Sequence, residues 1–236
     1  MAIAAIVGGA IALVVGLVAG IGIWLLPVGL IVGGLGAFAW WRKGHAGLVG
    51  SLGAADPVTL ADPAAVTRIE NLVEGLCIAN GIPVPTLAVI DSDARNAAIV
   101  VEDAQSVWLV VTRGLLADLS RIELEGVVAR ELARVKSGEA AALSSAVLLS
   151  RLWPGAVGRV LHSRADVVAD LDAVAFTRYP PGLLDALCKV EGHAQVAGLA
   201  SWTAPLWIED PVASAPGRAD TFHTPIEERI ATLREL

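Results

Sequence analysis

Apolar residues are distributed unevenly along this chain, and the pattern divides it into three parts. Residues 2–41 contain no Asp, Glu, Lys, Arg or His. Residues 44–61 are rich in Gly, Ala, Asp and Pro, which is typical of a linker. After the linker, apolar positions recur with the spacing of amphipathic helices and short strands. We therefore predict a transmembrane region over 1–43, a linker over 44–61 and a folded domain over 62–236.

The apolar N-terminal stretch is too long for a single upright membrane helix. Forty helical residues would measure about 60 Å, whereas a bilayer core is about 30 Å thick. We predict a hairpin of two spans, although a single long tilted helix or a re-entrant hairpin stays open because no charged residue would hold the turn in water. Trp40-Trp41-Arg42-Lys43 follows the stretch with aromatic and then basic residues. This order predicts a multi-pass protein of the cell membrane whose domain faces the cytoplasm.

The first half of the domain carries clear local signals. Asp62-Pro63 is a cap followed by a proline suited to the first helical turn, and the helix is predicted to end near Asn80-Gly81. Ser120 and Glu123 form a capping-box sequence that opens another helix, continuing through Val135. Between these helices lie three short β-branched runs, which we predict to form a small β-meander. The runs are residues 86–90, 96–101 and 107–112.

The second half of the domain is predicted to be mainly helical. Residues 140–162 are apolar but interrupted by Arg151, Pro154 and Arg159, so a buried or membrane-surface helix pair is favoured over a bilayer span. Helices are predicted over 166–177 and after Pro180. Thr224-Pro225-Ile226-Glu227 predicts a second capping box at the start of the last helix. The expected fold class is thus α+β, with a transmembrane helical hairpin before the domain.

Composition narrows the possible partners. The 236 residues are 55% hydrophobic with a mean hydropathy of +0.66, and the net charge is −7. A negative charge of this size argues against a nucleic-acid partner. Cys77 and Cys188 lie far apart on apolar helix faces, which predicts buried thiols in a reducing compartment.

One pentapeptide, Arg130-Glu131-Leu132-Ala133-Arg134, has the spacing of a zinc-protease helix without its histidines. In a His-Glu-x-x-His helix the two imidazoles project from one face and bind one metal, and the Glu activates the metal-bound water. Arginine is a donor with no lone pair for a metal. Taken alone, the pentapeptide is an ordinary polar helix turn, so its meaning depends on the surrounding sequence.

Over nearly its whole length the chain resembles the HtpX-like membrane zinc metallopeptidases, which are relatives of the CAAX prenyl endopeptidase. The similarity lies in landmarks that follow one another in the family order, in addition to the pentapeptide. These landmarks are Asn80-Gly81-Ile82-Pro83-Val84-Pro85, Asn96-Ala97-Ala98, Thr112-Arg113-Gly114-Leu115-Leu116, Ala169-Asp170 and His223-Thr224-Pro225-Ile226-Glu227-Glu228-Arg229.

The resemblance implies a zincin-like metallopeptidase domain and a role for each site residue. Glu131 falls at the general-base position. Arg130, Arg134 and Asp166 fall at the three zinc-ligand positions, and Asp170 belongs to the third-ligand motif. The position of the family's edge strand, which pairs with substrate, is taken by Asn96, Ala97 and Ala98. Because both histidines are replaced, we expect no metal or other cofactor.

Charge balance predicts what replaces the metal. Zn²⁺ would supply two positive charges, and two guanidinium groups supply the same number. Our hypothesis is that Arg130 and Arg134 form an ion-pair network with Glu131 and Asp166. Two alternatives stay open: the arginines point to water, or His162 binds a metal together with Asp166 and Asp170.

Two functions follow from the resemblance. The first is a membrane-anchored pseudopeptidase that binds a polypeptide or a membrane-protein partner without cutting it, with an extended segment added to the 96–101 edge. The alternative is an active zinc endopeptidase of membrane-protein quality control. Both place the protein at a lipid bilayer, and the sequence names neither the partner nor the substrate.

Overall fold

A computed structural model gives the fold of the parts of the chain that it describes. These are residues 31–36, 38–39, 43–44, 47–55, 62–103, 105–162, 164–212 and 222–236. The chain divides into two compact units, Met1–Gly47 and Leu48–Leu236. In the first unit residues 31–36 are helical, and most of the predicted transmembrane region, 1–43, lies outside the described residues. None of the described helices combines the length and apolarity needed to cross a bilayer.

The second unit combines helices with one small sheet, in agreement with the predicted α+β class. Two 3-10 helices cover Pro154–Arg159 and Ser201–Leu206. The strands are β1 (Thr86–Ile90), β2 (Ala97–Val101) and β3 (Val107–Thr112). The helices are α1 (Leu48–Ser51), α2 (Pro63–Asn80), α3 (Arg113–Asp118), α4 (Arg121–Lys136), α5 (Glu139–Ser150), α6 (Ala165–Thr177), α7 (Pro180–Val190) and α8 (Ile226–Arg234).

The sheet is not the predicted meander. Its strand order is β1-β3-β2, with β1 parallel and β2 antiparallel to β3. The segment between β1 and β2 does not join them as a hairpin, since the two strands are not neighbours in the sheet. It passes the end of β3, where Ser92 accepts a hydrogen bond from the Gly114 N–H at 2.9 Å and the Asn96 N–H donates to Thr112 Oγ1 at 3.0 Å. These bonds place β3 between the other two strands.

Both faces of the sheet are buried, so its strands consist of nearly continuous apolar residues. Along β2, Ala97, Ile99 and Val101 pack in one core cluster with α2, α4 and α7. The alternate residues Ala98 and Val100 pack in a second cluster with α1 and α5. This period of two is the geometry of a strand covered on both sides.

Helix α4 lies at the centre of the unit and contacts α2, α6 and α7. Its predicted capping box is confirmed, since Ser120 and Glu123 cap each other through side-chain to backbone bonds. Glycines allow α7 to approach closely: a Cβ on Gly126 would lie 2.6 Å from the Leu183 nitrogen, and one on Gly182 would lie 2.9 Å from the Ile122 oxygen. A larger residue at either position would push the two helices apart.

Several local predictions need correction. The predicted linker, 44–61, is partly folded, because Leu48 and Leu52 are buried and Ala55 pairs with Val89 beside β1. Asp62 makes no side-chain cap bond, although Pro63 does open α2. Cys77 is buried as predicted, but Cys188 is exposed because it lies on the outer side of α7.

The second predicted capping box does not form. Helix α8 begins at Ile226 with Pro225 at its N-cap, and no side-chain cap bond is made. Thr224 instead donates its backbone N–H to the Asp166 carboxylate at 2.9 Å. A long-range contact therefore replaces the local one at this helix start. The residues 140–162 form α5 and the first 3-10 helix, rather than a pair of α-helices.

Candidate functional site

The site is built on α4, where three charged side chains of the pentapeptide face the protein interior. Arg130 and Glu131 have no exposed surface, and Arg134 is 3% exposed. Helix α6 packs against this face and contributes Asp166 and Asp170, which are four residues apart and project from one side. The interpretation in which both arginines point to water is wrong.

Arg130 is the centre of the cluster and contacts three carboxylates. Its Nη1 donates to Glu131 Oε1 at 2.6 Å, and its Nη2 donates to Asp166 Oδ1 at 2.5 Å. Its Nε donates to Asp170 Oδ1 at 2.9 Å. Burial lowers the pKa of Arg130, but the negative charges of these partners outweigh it and hold the pKa above its usual value.

Arg134, one helical turn further along α4, engages the other side of Glu131. Its Nη1 lies 3.3 Å from Glu131 Oε2, and its Nε donates to Glu139 Oε1 at 3.0 Å. Both oxygens of Glu131 therefore accept hydrogen bonds from guanidinium groups. A general base needs a free oxygen facing water, and Glu131 offers none in this arrangement.

A third arginine, which the sequence reasoning did not place in the site, completes the cluster. Arg229 of α8 is fully buried and bonds both oxygens of Asp170, with its Nε at 2.8 Å from Oδ2 and its Nη2 at 2.9 Å from Oδ1. This is the bidentate geometry that a planar guanidinium favours. Glu139 and Glu209 were also missed, and they lie at the partly exposed rim.

Asp166 is held in its charged form. Burial alone would raise its pKa, but the hydrogen bond with His223 and the charges of Arg130 and Arg229 outweigh it and hold the pKa well below the ordinary range. The His223 Nδ1 lies 3.5 Å from Asp166 Oδ2. His223, which directly precedes the residues that open the last helix, therefore also lies against the site.

The inner cluster is balanced in formal charge. Arg130, Arg134 and Arg229 face Glu131, Asp166 and Asp170. Both arginines of the hypothesised network contact Glu131, and Arg130 also contacts Asp166. The network is larger than predicted because Arg229 and Asp170 join it. Such a balance is what allows charges to be buried, since an unpaired charge in the interior is costly.

A segment of the chain itself, residues 204–209, covers the cluster and is called the covering segment below. Four of its backbone carbonyls accept hydrogen bonds from polar side chains around it. Arg134 Nη1 lies 3.4 Å from the Leu206 oxygen, and Arg229 Nη1 lies 2.7 Å from the Ile208 oxygen. The Ala204 oxygen lies 3.0 Å from His223 Nε2, and Asn96 Nδ2 donates to the Glu209 oxygen at 2.9 Å.

The covering segment also occupies the outer edge of β2, where substrate pairing was predicted. Trp207 forms an antiparallel bridge with Ala98, and the Ile208 N–H donates to the Ala97 oxygen at 2.9 Å. Asn96 Oδ1 accepts from the Ala97 N–H at 3.0 Å. Asn96, Ala97 and Ala98 have no exposed surface. Binding of a polypeptide at this edge stays a prediction, and it would require the covering segment to move.

His162 is not part of the cluster. It is exposed, whereas Asp166 turns inward to Arg130 and Asp170 is bonded by Arg130 and Arg229. A metal site made of His162, Asp166 and Asp170 is therefore not present in this arrangement.

Comparison with known proteins identifies the family. The protease HtpX homologue of Dictyoglomus thermophilum is 33% identical in a match that covers 70% of this chain and 67% of that protein. The chain belongs to the HtpX protease family. The HtpX homologue of Tropheryma whipplei strain Twist is 30% identical in a match that covers 72% of each protein. No family model matches the chain, and no solved structure matches it.

Zinc is the metal that the likeness to HtpX metallopeptidases implies, and the residues at this site do not suit it. The guanidinium groups of Arg130 and Arg134 have no lone pair to offer a metal. The carboxylates of Asp166 and Asp170 would remain as ligands, but Arg130 already donates hydrogen bonds to both of them. Among the described residues, no three His, Cys, Asp or Glu side chains are grouped to hold a metal ion.

Proposed function

We propose that this member of the HtpX family is a membrane-anchored pseudopeptidase, which keeps the metallopeptidase-like domain but does not hydrolyse peptides. One observation carries the proposal: the buried guanidinium of Arg130 donates to Glu131, Asp166 and Asp170 at once. Hydrolysis by a zincin needs a metal-bound water and a carboxylate free to deprotonate it. Arginines at both histidine positions remove the ligands, and they also engage the base.

The proposed role is to bind a polypeptide or a membrane-protein partner without cutting it. An extended partner segment would add to β2, which lies at one side of the three-stranded sheet. Because the covering segment lies on that edge, binding would exchange one extended chain for another. Main-chain hydrogen bonds of this kind need neither a metal nor a base.

Membrane anchoring is proposed from the sequence of the first unit. The uncharged stretch 2–41 would form two spans, and Arg42 and Lys43 would keep the following domain in the cytoplasm. Fusing a reporter that is active only in the cytoplasm to Leu236 tests the orientation. An active fusion is expected, and a fusion active only outside the cytoplasm would contradict it.

Proteolysis and metal content test the central claim. The purified full chain is incubated with an unfolded substrate protein, with and without a chelator, beside the Glu131→Gln variant. We expect no chelator-sensitive cleavage and no stoichiometric zinc by elemental analysis. Cleavage that stops on adding chelator and is lost in Glu131→Gln would support the alternative, an active zinc endopeptidase of membrane-protein quality control.

Replacing Arg130 and Arg134 by His tests whether the arginines are what excludes the metal. Zinc uptake by this double variant, with none by the parent chain, would support the proposal. Because Asp166 is shorter than the glutamate of the family motif, a triple variant that also carries Asp166→Glu serves as the stronger form of the test. Stoichiometric zinc in the parent chain would overturn the proposal directly.

A further inference from the structure

One exposed surface of the second unit combines apolar and basic side chains and has no role in the site. It consists of Leu149, Arg151, Leu152, Trp153 and Arg159, and is called the basic aromatic surface below. Leu152 is 72% exposed, Trp153 is 45% exposed and Leu149 is 37% exposed. Large apolar side chains that are neighbours in sequence and exposed together often mark a contact surface.

The arginines of this surface lie against tryptophan rings. The guanidinium carbon of Arg159 lies 4.2 Å from the centre of the Trp153 ring, and that of Arg151 lies 5.3 Å from the centre of the Trp202 ring. Stacking of this kind holds each positive charge beside an aromatic ring whose polar edge tolerates water. Neither guanidinium has a carboxylate partner among the described residues, so both charges are available to a ligand.

The charge of the region contrasts with that of the whole chain. Residues 140–165 contain three arginines and no aspartate or glutamate, although the chain as a whole carries a net charge of −7. Of the three, Arg164 is paired with Glu228 at 2.8 Å. At physiological ionic strength charges act over about 8 Å, so a negatively charged partner at this surface responds mainly to nearby charges, which include Arg151 and Arg159.

We propose that the basic aromatic surface docks onto an anionic lipid bilayer. Leu152 and Trp153 would enter the headgroup boundary, while Arg151 and Arg159 would bind lipid phosphates. This combination of exposed Leu and Trp with flanking arginines is the composition of segments that lie in a membrane interface. The proposal rests on the membrane anchoring proposed above, which brings the domain to a bilayer, and it does not depend on whether the site is catalytic.

A probe at position 152 of the full chain tests the contact. Leu152→Cys is introduced in a Cys188→Ser background and labelled with an environment-sensitive fluorophore. Cys77 does not interfere, since burial raises the pKa of its thiol to about 11 and keeps it protonated. The protein is reconstituted in vesicles of phosphatidylcholine alone, or of phosphatidylcholine and phosphatidylglycerol in equal parts, each with acyl-chain brominated lipid as the quencher.

The matched control places the same probe at Ile78, which is 75% exposed and lies on α2 near Glu70 and Glu74. We expect strong quenching at position 152 in the anionic vesicles and little at position 78. Replacing both Arg151 and Arg159 by Gln should weaken docking by about 25-fold, because each arginine near an anionic surface contributes about fivefold. Phosphatidylcholine vesicles should give the same loss for the parent chain.

Three results would overturn the proposal. The first is equal quenching at positions 152 and 78. The second is quenching at position 152 that is the same in the anionic and the phosphatidylcholine vesicles. The third is no quenching at position 152 in either kind of vesicle. The last result would favour an acidic protein, instead of a lipid bilayer, as the partner of this surface. Flotation of the labelled chain with the vesicles reports the anchor separately, so a failed docking test can be distinguished from a failed anchoring proposal.

Discussion

Arg130 and Arg113 each contact more than one carboxylate, and they do so in opposite environments. Arg130 contacts Glu131, Asp166 and Asp170 with no exposed surface. Arg113 contacts Asp91 and Asp93, and its side chain is 40% exposed while theirs are 64% and 89% exposed. The bond lengths are similar, so geometry alone does not distinguish the two clusters.

The difference lies in what happens when one partner is lost. Water can replace either side of the Arg113 cluster, and such surface pairs contribute little to stability. Water cannot reach Arg130, so losing it would leave like charges buried side by side. The arginine cluster at the site is therefore a strict structural requirement, whatever its contribution relative to an apolar core.

The largest effect is expected from Arg130→Met. Removing the guanidinium leaves three buried carboxylates without their shared partner, and the expected loss is about 3–5 kcal/mol of unfolding free energy. Urea denaturation of the full chain in detergent, followed by circular dichroism, measures it. Adding Asp166→Asn and Asp170→Asn should recover part of the loss, because it removes the unpaired charges. If the urea midpoint of Arg130→Met equals that of the parent chain, water must reach the three carboxylates, and the prediction is contradicted.

Asp170→Asn should cost somewhat less, about 3 kcal/mol, since it removes the carboxylate that Arg130 and Arg229 share. Asp172→Asn is the matched control, two residues along the same helix and exposed. The same denaturation experiment should find the control within error of the parent. Equal midpoints for the two variants would contradict the assignment of Asp170 to the core of the network.

Acid should weaken the buried cluster. Because the pKa of Asp166 is lower in the folded protein than its unfolded value of about 3.9, the stability it contributes is fully present above that value. It is lost progressively as the pH falls from there toward the much lower folded pKa, by at most about 1.4 kcal/mol per pH unit for this group. Denaturation midpoints between pH 6 and pH 3 measure the decline, and Asp166→Asn should make it shallower. An unchanged slope in that variant would contradict the prediction.

The capping box at the start of α4 provides an intermediate case. The Glu123 Oε2 accepts from the Ser120 N–H at 2.6 Å and from Lys189 Nζ at 2.7 Å. Glu123 is buried, whereas the side chain of Lys189 is 40% exposed. Burial would raise the pKa of Glu123, but the bonds from Lys189 and Ser120 lower it. Ser120→Ala should lose about 1 kcal/mol. Ser120→Thr, which keeps the hydroxyl, should restore most of the loss if the cap is the cause.

The smallest effect is expected from Arg113→Met. Its two aspartates are exposed and become hydrated when the arginine is removed, so the denaturation midpoint should stay within error of the parent. Raising the salt concentration should leave this variant and the parent equally stable. A loss as large as that of Arg130→Met would remove the distinction between the two clusters.

The elements that the sequence predicts well are those with local signals. The Ser120 to Glu123 spacing places the start of α4 correctly, and Pro63 places the start of α2. The β-branched runs give the bounds of β1 and β3 as they are found. Each of these signals acts within a few residues, through caps or backbone preference, so no knowledge of the tertiary fold is needed.

The parts that could not be predicted depend on distant residues. Arg229 pairs with Asp170, 59 positions away, and a polar residue on a short helix gives no sign of such a partner. The covering segment has no periodic pattern, so its place on β2 could not be inferred. The strand order of the sheet was also not predicted. Alternation of side chains along a strand determines which face of the sheet a residue occupies, but it does not determine which strand lies beside it.

The covering segment also bears on how readily a histidine could be introduced at position 134. Arg134 and Arg229 bind its carbonyls and the carboxylates of the network at the same time. Restoring a histidine at position 134 would remove a donor to both at once. Conversion of this cluster into a ligand-binding site therefore requires coordinated changes in α4 and in residues 204–209, and a single substitution at position 134 gives a destabilised intermediate. In evolutionary terms, the contacts between Arg134 and residues 204–209 make a stepwise change at position 134 costly.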